Sequence, residues 1–101
     1  MTTARYLGRV PQGEDEELYY TNDTSANGGS PTDVAVVAKD LSNDSADVSS
    51  TVLDGSSSVS GDVITLPKIK SLTAGNVYRI EIKYTCGNNV FEDYLLIDAE
   101  V

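Results

Sequence analysis

Between Val77 and Cys86 the chain alternates without a break. Tyr78, Ile80, Ile82 and Tyr84 fall on one side, and Arg79, Glu81, Lys83 and Thr85 on the other. A two-residue period is the mark of a strand with one face buried, whereas a helix would scatter the same four apolar side chains around its circumference. Gly87-Asn88-Asn89 then supplies turn residues, and Val90–Val101 reads as the returning strand of a hairpin. In that strand Phe91, Leu95, Ile97, Ala99 and Val101 share one face. Glu92, Asp98 and Glu100 share the other, within reach of Arg79 and Lys83 across the pair. Asp93 falls on the apolar face in this register, so a bulge or partial exposure is expected near the hairpin tip.

The rest of the chain reads as shorter strands separated by turn chemistry. Leu18–Thr21, Val34–Ala38, the spaced apolar residues from Val48 to Leu53, and Val63–Leu66 are strand-like. Asn22–Thr32, Ser42–Asp47 and Asp54–Asp62 are rich in Gly, Asn, Asp and Ser and read as loops. Pro67 offers no N–H to a ladder and predicts an edge or a strand end. The segment Leu72-Thr73-Ala74-Gly75-Asn76-Val77-Tyr78 has the form of a tyrosine corner, in which Leu72 and Gly75 precede a Tyr78 whose hydroxyl bonds the backbone a few residues upstream. These features predict an all-β protein: an immunoglobulin-like antiparallel β-sandwich of about seven strands over 14–101, preceded by an extended N-terminal arm over 1–13.

Charge is distributed unevenly. The 101 residues carry 16 carboxylates against 7 Lys and Arg, for a net charge of −9. All the acids fall from Glu14 onward, while the first thirteen residues carry Arg5 and Arg9. A body of this charge repels phosphate backbones and anionic headgroups, which argues against nucleic acid and membrane partners. No apolar run approaches the roughly 18 residues that span a bilayer. No signal-like apolar stretch opens the chain, and Cys86 is alone, so no internal disulfide framework exists. Synthesis in a reducing cytoplasm is the resulting expectation.

Catalytic constellations are missing from the sequence. Without histidine there is no Ser-His or Cys-His pair, and Cys86 ends the inward face of a strand, where a small buried hydrophobe is expected. No catalytic residue, cofactor or metal site is assigned. Asp23-Thr24-Ser25-Ala26-Asn27-Gly28 imitates the start of a calcium loop, but its twelfth position is Val34 rather than Glu. A loop calcium site using Asp23, Asn27 or Asp33 is left open. Tyrosines at outward positions are better candidates for function, since they make favourable interface anchors. Tyr94 and Leu96 share the outward face of the last strand, and Arg5, Tyr6, Leu7 and Arg9 mark the arm as a second docking element.

The order of these features resembles a family. Arg5-Tyr6-Leu7 and Glu17-Leu18-Tyr19-Tyr20 come first, then Ser/Thr-rich strands, then Leu72–Ile80 and the closing Glu92-Asp93-Tyr94-Leu95-Leu96-Ile97. This looks like the small immunoglobulin-like structural proteins of tailed-bacteriophage virions, the fibre–tail adaptors and minor neck or tail components. The chain departs from them in having no tryptophan and in closing on an acidic rather than a basic hairpin. The resemblance implies a non-enzymatic, multi-copy or homo-oligomeric virion protein that docks on fibre, neck, tail or capsid proteins. Two alternatives stand beside it: a capsid decoration protein, and a carbohydrate or host-surface binder acting through the loops 22–32 and 54–62. The adaptor reading also expects that removing Met1–Val10 leaves a folded domain.

Overall fold

Residues 5–101 are described by a computed structural model. Ten strands appear among them: β1 (Arg5–Gly13), β2 (Thr21–Asp23), β3 (Thr32–Asp40), β4 (Ala46–Asp47), β5 (Leu53–Asp54), β6 (Ser58–Ser60), β7 (Val63–Thr65), β8 (Lys68–Ile69), β9 (Val77–Cys86) and β10 (Asn89–Glu100). A four-residue helix, α1 (Ser49–Val52), links β4 to β5, and short 3-10 turns lie at Ser25–Asn27 and Leu41–Asn43. The protein is an all-β sandwich. One sheet has the order β1-β10-β9-β3-β4, and the opposing layer is β2-β7-β6 with β5-β8 beside it.

The small sheets are halves of one layer. Leu18 and Ile69 exchange backbone hydrogen bonds, Leu66 N–H donates to Tyr20 O at 2.9 Å, and Leu53 pairs with Ile69. The line from Leu18 through β2 therefore flanks β7 and β8 on one side, while β5 and β6 flank them on the other. The interruption falls at Pro67, which is buried and has no N–H to donate. Joined in this way, the ten strands run as eight lines, ordered as in an immunoglobulin-type sandwich.

The eighth line is a correction to the arm. Arg5–Gly13 does not stand off the body; it is an edge strand paired in parallel with β10 from Arg5↔Asp93 to Gly13↔Glu100. All other strand pairs described are antiparallel. Val10 packs against the core, and the side chain of Gln12, 1% exposed, donates to Ile69 O at 2.8 Å and to Glu16 O at 3.0 Å while accepting from the Tyr20 hydroxyl at 2.7 Å. These contacts tie β1 to both layers. Removing Met1–Val10 would strip most of a strand and bare the edge of β10, so that deletion is no longer expected to spare the fold.

The β9–β10 hairpin has the register anticipated from its alternation. Asn89 faces Cys86 across Gly87-Asn88, and Gly87 takes φ +60°, a positive φ at the first loop position, as in a type II′ turn. Tyr78, Ile80, Ile82 and Tyr84 point inward with Leu95, Ile97 and Ala99, and meet Ile64, Leu66, Ile69, Val52 and Leu72 from the other layer. Each fully buried aliphatic side chain of this set contributes about 1.5–3 kcal/mol relative to exposure. Cys86 is buried and unpaired. At the crossover Thr73 N–H donates to the Tyr78 hydroxyl at 2.8 Å, Leu72 is buried, and Gly75 takes φ +90°.

Asp93 departs from expectation. The register runs from Asn89 to Asp98 without a shift, so no bulge removes it from the inner face, and it is 2% exposed. Its Oδ2 accepts from the Tyr84 hydroxyl at 2.7 Å and from Asn22 Nδ2 at 2.9 Å. Polar partners inside the sandwich thus replace the solvent that the bare apolar pattern required.

Candidate functional site

The parallel pairing of β1 with β10 brings the two sets of candidate docking residues together. Tyr6 lies opposite Tyr94, with ring centroids 5.4 Å apart and planes inclined by 39°. Arg79, on the strand beyond, places its guanidinium carbon 3.8 Å from the Tyr94 ring centroid, and its Nε donates to Glu81 Oε2 at 2.8 Å. Three strands therefore contribute to one stack, Tyr6–Tyr94–Arg79, on the outer face of the five-stranded sheet. Geometry of this kind gains from both offset aromatic contact and cation–π attraction.

A bulge makes this arrangement possible. The β1–β10 register slips between Tyr6 and Gly8, leaving Leu7 without an opposite residue. Gly8 accommodates the kink at φ +133°. Side chains alternate with period two, so in a regular strand Tyr6 and Arg9, three residues apart, would face opposite sides of the sheet. With the bulge, both face outward: Tyr6 over Tyr94, and Arg9 opposite Leu96. Tyr6 and Leu7 are 55% and 44% exposed, the largest exposed hydrophobic residues of the strand.

The arm's positive charge is spent within the molecule. Arg9 grips Asp98 with two hydrogen bonds of 2.6 Å, from Nε and from a terminal nitrogen. Those bonds lead in holding the Asp98 carboxyl below its ordinary range, and the Arg9 charge adds to them against a desolvation that acts the other way. Arg5 stands over the Phe91 ring at 4.6 Å. Of the anticipated cross-strand charges, Glu92 does stand opposite Lys83, while Asp98 takes Arg9 and Arg79 takes Glu81 from its own strand. Arg79 is the member of the stack missed in the sequence. Its outward position was legible, but its aim at Tyr94 required the three-strand order.

The loops use their polar atoms on each other. Thr24 donates from N and Oγ1 to Asp62 O, both at 2.8 Å, and Ser30 N–H donates to Asp62 Oδ1 at 3.0 Å. Asp23 Oδ1 accepts from Ser25 N–H, and Asn27 Nδ2 donates to the Tyr84 hydroxyl at 2.7 Å. Asp33, exposed on β3, joins neither. The three residues considered for calcium are thus not gathered around one point, and no group of three or more metal-ligating Asp, Glu, Cys or His side chains occurs among the described residues.

Beneath the loops lies the polar chain Asn27–Tyr84–Asp93–Asn22. Burial, first, and donation to Asp93 raise the Tyr84 hydroxyl to a pKa of about 12. Asp93 Oδ1 is buried with no hydrogen-bond partner among the described residues. Comparison with protein-family models and with curated proteins finds no match for this chain.

Proposed function

We propose that this protein is a non-enzymatic structural component of a tailed-phage virion, an adaptor that docks on neighbouring virion proteins through the outer face formed by β1, β10 and β9. The observation that carries the reading is the Tyr6–Tyr94–Arg79 stack, with Tyr6 exposed, Tyr94 and Arg79 half-buried, and Leu7 and Leu96 beside it. Aromatic and Arg side chains held in fixed rotamers lose little entropy on association and dominate interface energetics. The family resemblance of the sequence supplies the virion context. The tight parallel seam between β1 and β10 supports a rigid adaptor, whose docking residues sit on a sheet rather than on loops.

Point substitution is the appropriate test, because β1 belongs to the fold. Tyr6→Ser and Tyr94→Ser variants are supplied in cells producing the particles, and copy number is read by mass spectrometry of purified particles. Variants that remain folded by circular dichroism should be depleted about tenfold or more, as expected for loss of an anchor worth ~1.4 kcal/mol or above. Wild-type copy number in both variants overturns the reading.

A further inference from the structure

We infer that the open margin of the sandwich between β3 and β5 is a second docking site, which accepts an extended, basic-flanked segment of a partner protein as an added strand. This surface is distinct from the Tyr6–Tyr94 face and does not depend on it.

The backbone identifies the site. Ala38 donates its N–H to Ser49 Oγ at 2.9 Å and accepts from Val48 N–H at 2.9 Å, so both its peptide groups point away from β9. Asp40, two residues on, faces Ala46 of β4. Alternation along an antiparallel pair then turns the N–H and C=O of Val36 to the same edge, since Val36 faces Ile82 two places along the same ladder. Beyond α1, no described residue hydrogen-bonds that edge at Val36. The covering of β3 by β4 and α1 stops at Ala38, which leaves the N-terminal half of the strand as an unpaired template.

The side chains fit the same occupant. A groove of about 390 Å³ runs along this edge. Val34 and Val36 from β3 meet Leu53 and Pro67 from the other layer, and serines between Ser49 and Ser57 form the rim. Val34, Val36 and Leu53 belong to the periphery of the core yet are only half-buried, as if one strand were wanting between the layers. An inserted strand would hydrogen-bond Val36 while its inward side chains covered these three.

Charge selects the partner. Among the described residues no charged side chain lines the groove. Asp33 and Asp54 adjoin its lining residues in the chain, and Asp47 accepts from the N–H and Oγ of Ser49. Of the nearby cations, Lys39 faces Asp47, Lys70 lies 3.8 Å from Asp54, and Lys68, next to Pro67, lies 3.9 Å from Glu17. With a net charge of −9 the surrounding field attracts a cationic segment and disfavours a second copy of this chain.

The probe is a peptide of alternating Val and Thr with two Lys at each end, titrated into the whole protein and followed by amide NMR. Shifts should centre on Val34 and Val36, and exchange of the Val36 amide should slow by about tenfold or more at saturation. A Glu-flanked version should bind roughly tenfold more weakly, and a version N-methylated on alternate residues should not bind. The Tyr94→Ser variant should bind the peptide as wild type does, which separates failure here from failure of the outer-face reading. Equal binding by the Lys- and Glu-flanked peptides overturns the assignment, as do shifts centred on Tyr6 and Tyr94. So does protection of Val36 that grows with protein concentration in the absence of peptide, which would place a second copy in the groove.

Discussion

Tyr84 donates its hydroxyl hydrogen to Asp93 Oδ2 at 2.7 Å, across the inside of the hairpin formed by β9 and β10. A carboxylate is thereby kept where the apolar alternation of two strands would place an aliphatic side chain. Tyr84→Phe removes that donor while leaving the ring in place against Phe91. With its remaining partner Asn22 alone, Asp93 becomes less well satisfied, and a loss of about 1–3 kcal/mol is expected in urea unfolding. An unchanged midpoint and slope would show that the hydrogen bond adds nothing.

The same hydroxyl gives a dependence on alkaline pH. Its folded pKa of about 12 lies above the ordinary 10.0. A raised folded pKa means that the stabilisation is fully present below the unfolded value and is lost as pH climbs through the folded one. Stability should therefore fall between about pH 10 and 12, and Tyr84→Phe should flatten that fall. Absorbance of tyrosinate provides the direct check: Tyr84 should titrate as a late step that is missing from the variant.

Gly29 should not tolerate a side chain. It sits at φ +73°, and a Cβ there would collide with the Asp62 carboxylate that caps Ser30 N–H. Gly29→Ala is expected to cost about 2 kcal/mol, from the left-handed backbone and from displacement of Asp62 together. In an Asp62→Ala background the same change should cost only about 1 kcal/mol, the backbone share. Equal costs in both backgrounds would sink the steric part of the account.

Removing Leu7 tests the bulge. Without Leu7, residues Tyr6, Gly8 and Arg9 pair continuously with Tyr94, Leu95 and Leu96, so that Tyr6 and Arg9 lie two apart and stay on one face with no kink. NMR contacts between the Tyr6 and Tyr94 rings should persist, as should those between Val10 and the core. Loss of the ring contacts with the core contacts intact would mean that the parity argument fails.

What the amino-acid order revealed follows from how local each determinant is. Strand β9, its turn and the inward set from Tyr78 to Tyr84 depend on period-two alternation and on one glycine, so they could be read directly. The pairing of β1 could not. Parallel partners lie far apart in sequence, and Arg5–Gly13 alternates poorly because Leu7 and Gly8 break its parity. The burial of Asp93 was hidden for a similar reason: its partners Asn22 and Tyr84 belong to different layers, and an Asp at an inward position reads as an irregularity until they are brought to it. For the outer face, Tyr6, Tyr94 and Leu96 were recognisable one by one as outward apolar residues. Their union, and the recruitment of Arg79, depended on a strand order that no local pattern encodes.

The parallel seam has a mechanical consequence. Arg5 lies beside Asp93 near the hairpin tip, and Gly13 lies beside Glu100 at the far end of the sheet. A tensile load entering through the chain before Arg5 and leaving after Glu100 pulls β1 and β10 lengthwise past each other. Their hydrogen bonds are then strained together, along some 25–30 Å of strand, instead of being unzipped singly from one end. The closure that adds the eighth line to the sandwich thus also makes it a shear clamp, in a domain through which force could pass from one neighbour to the next.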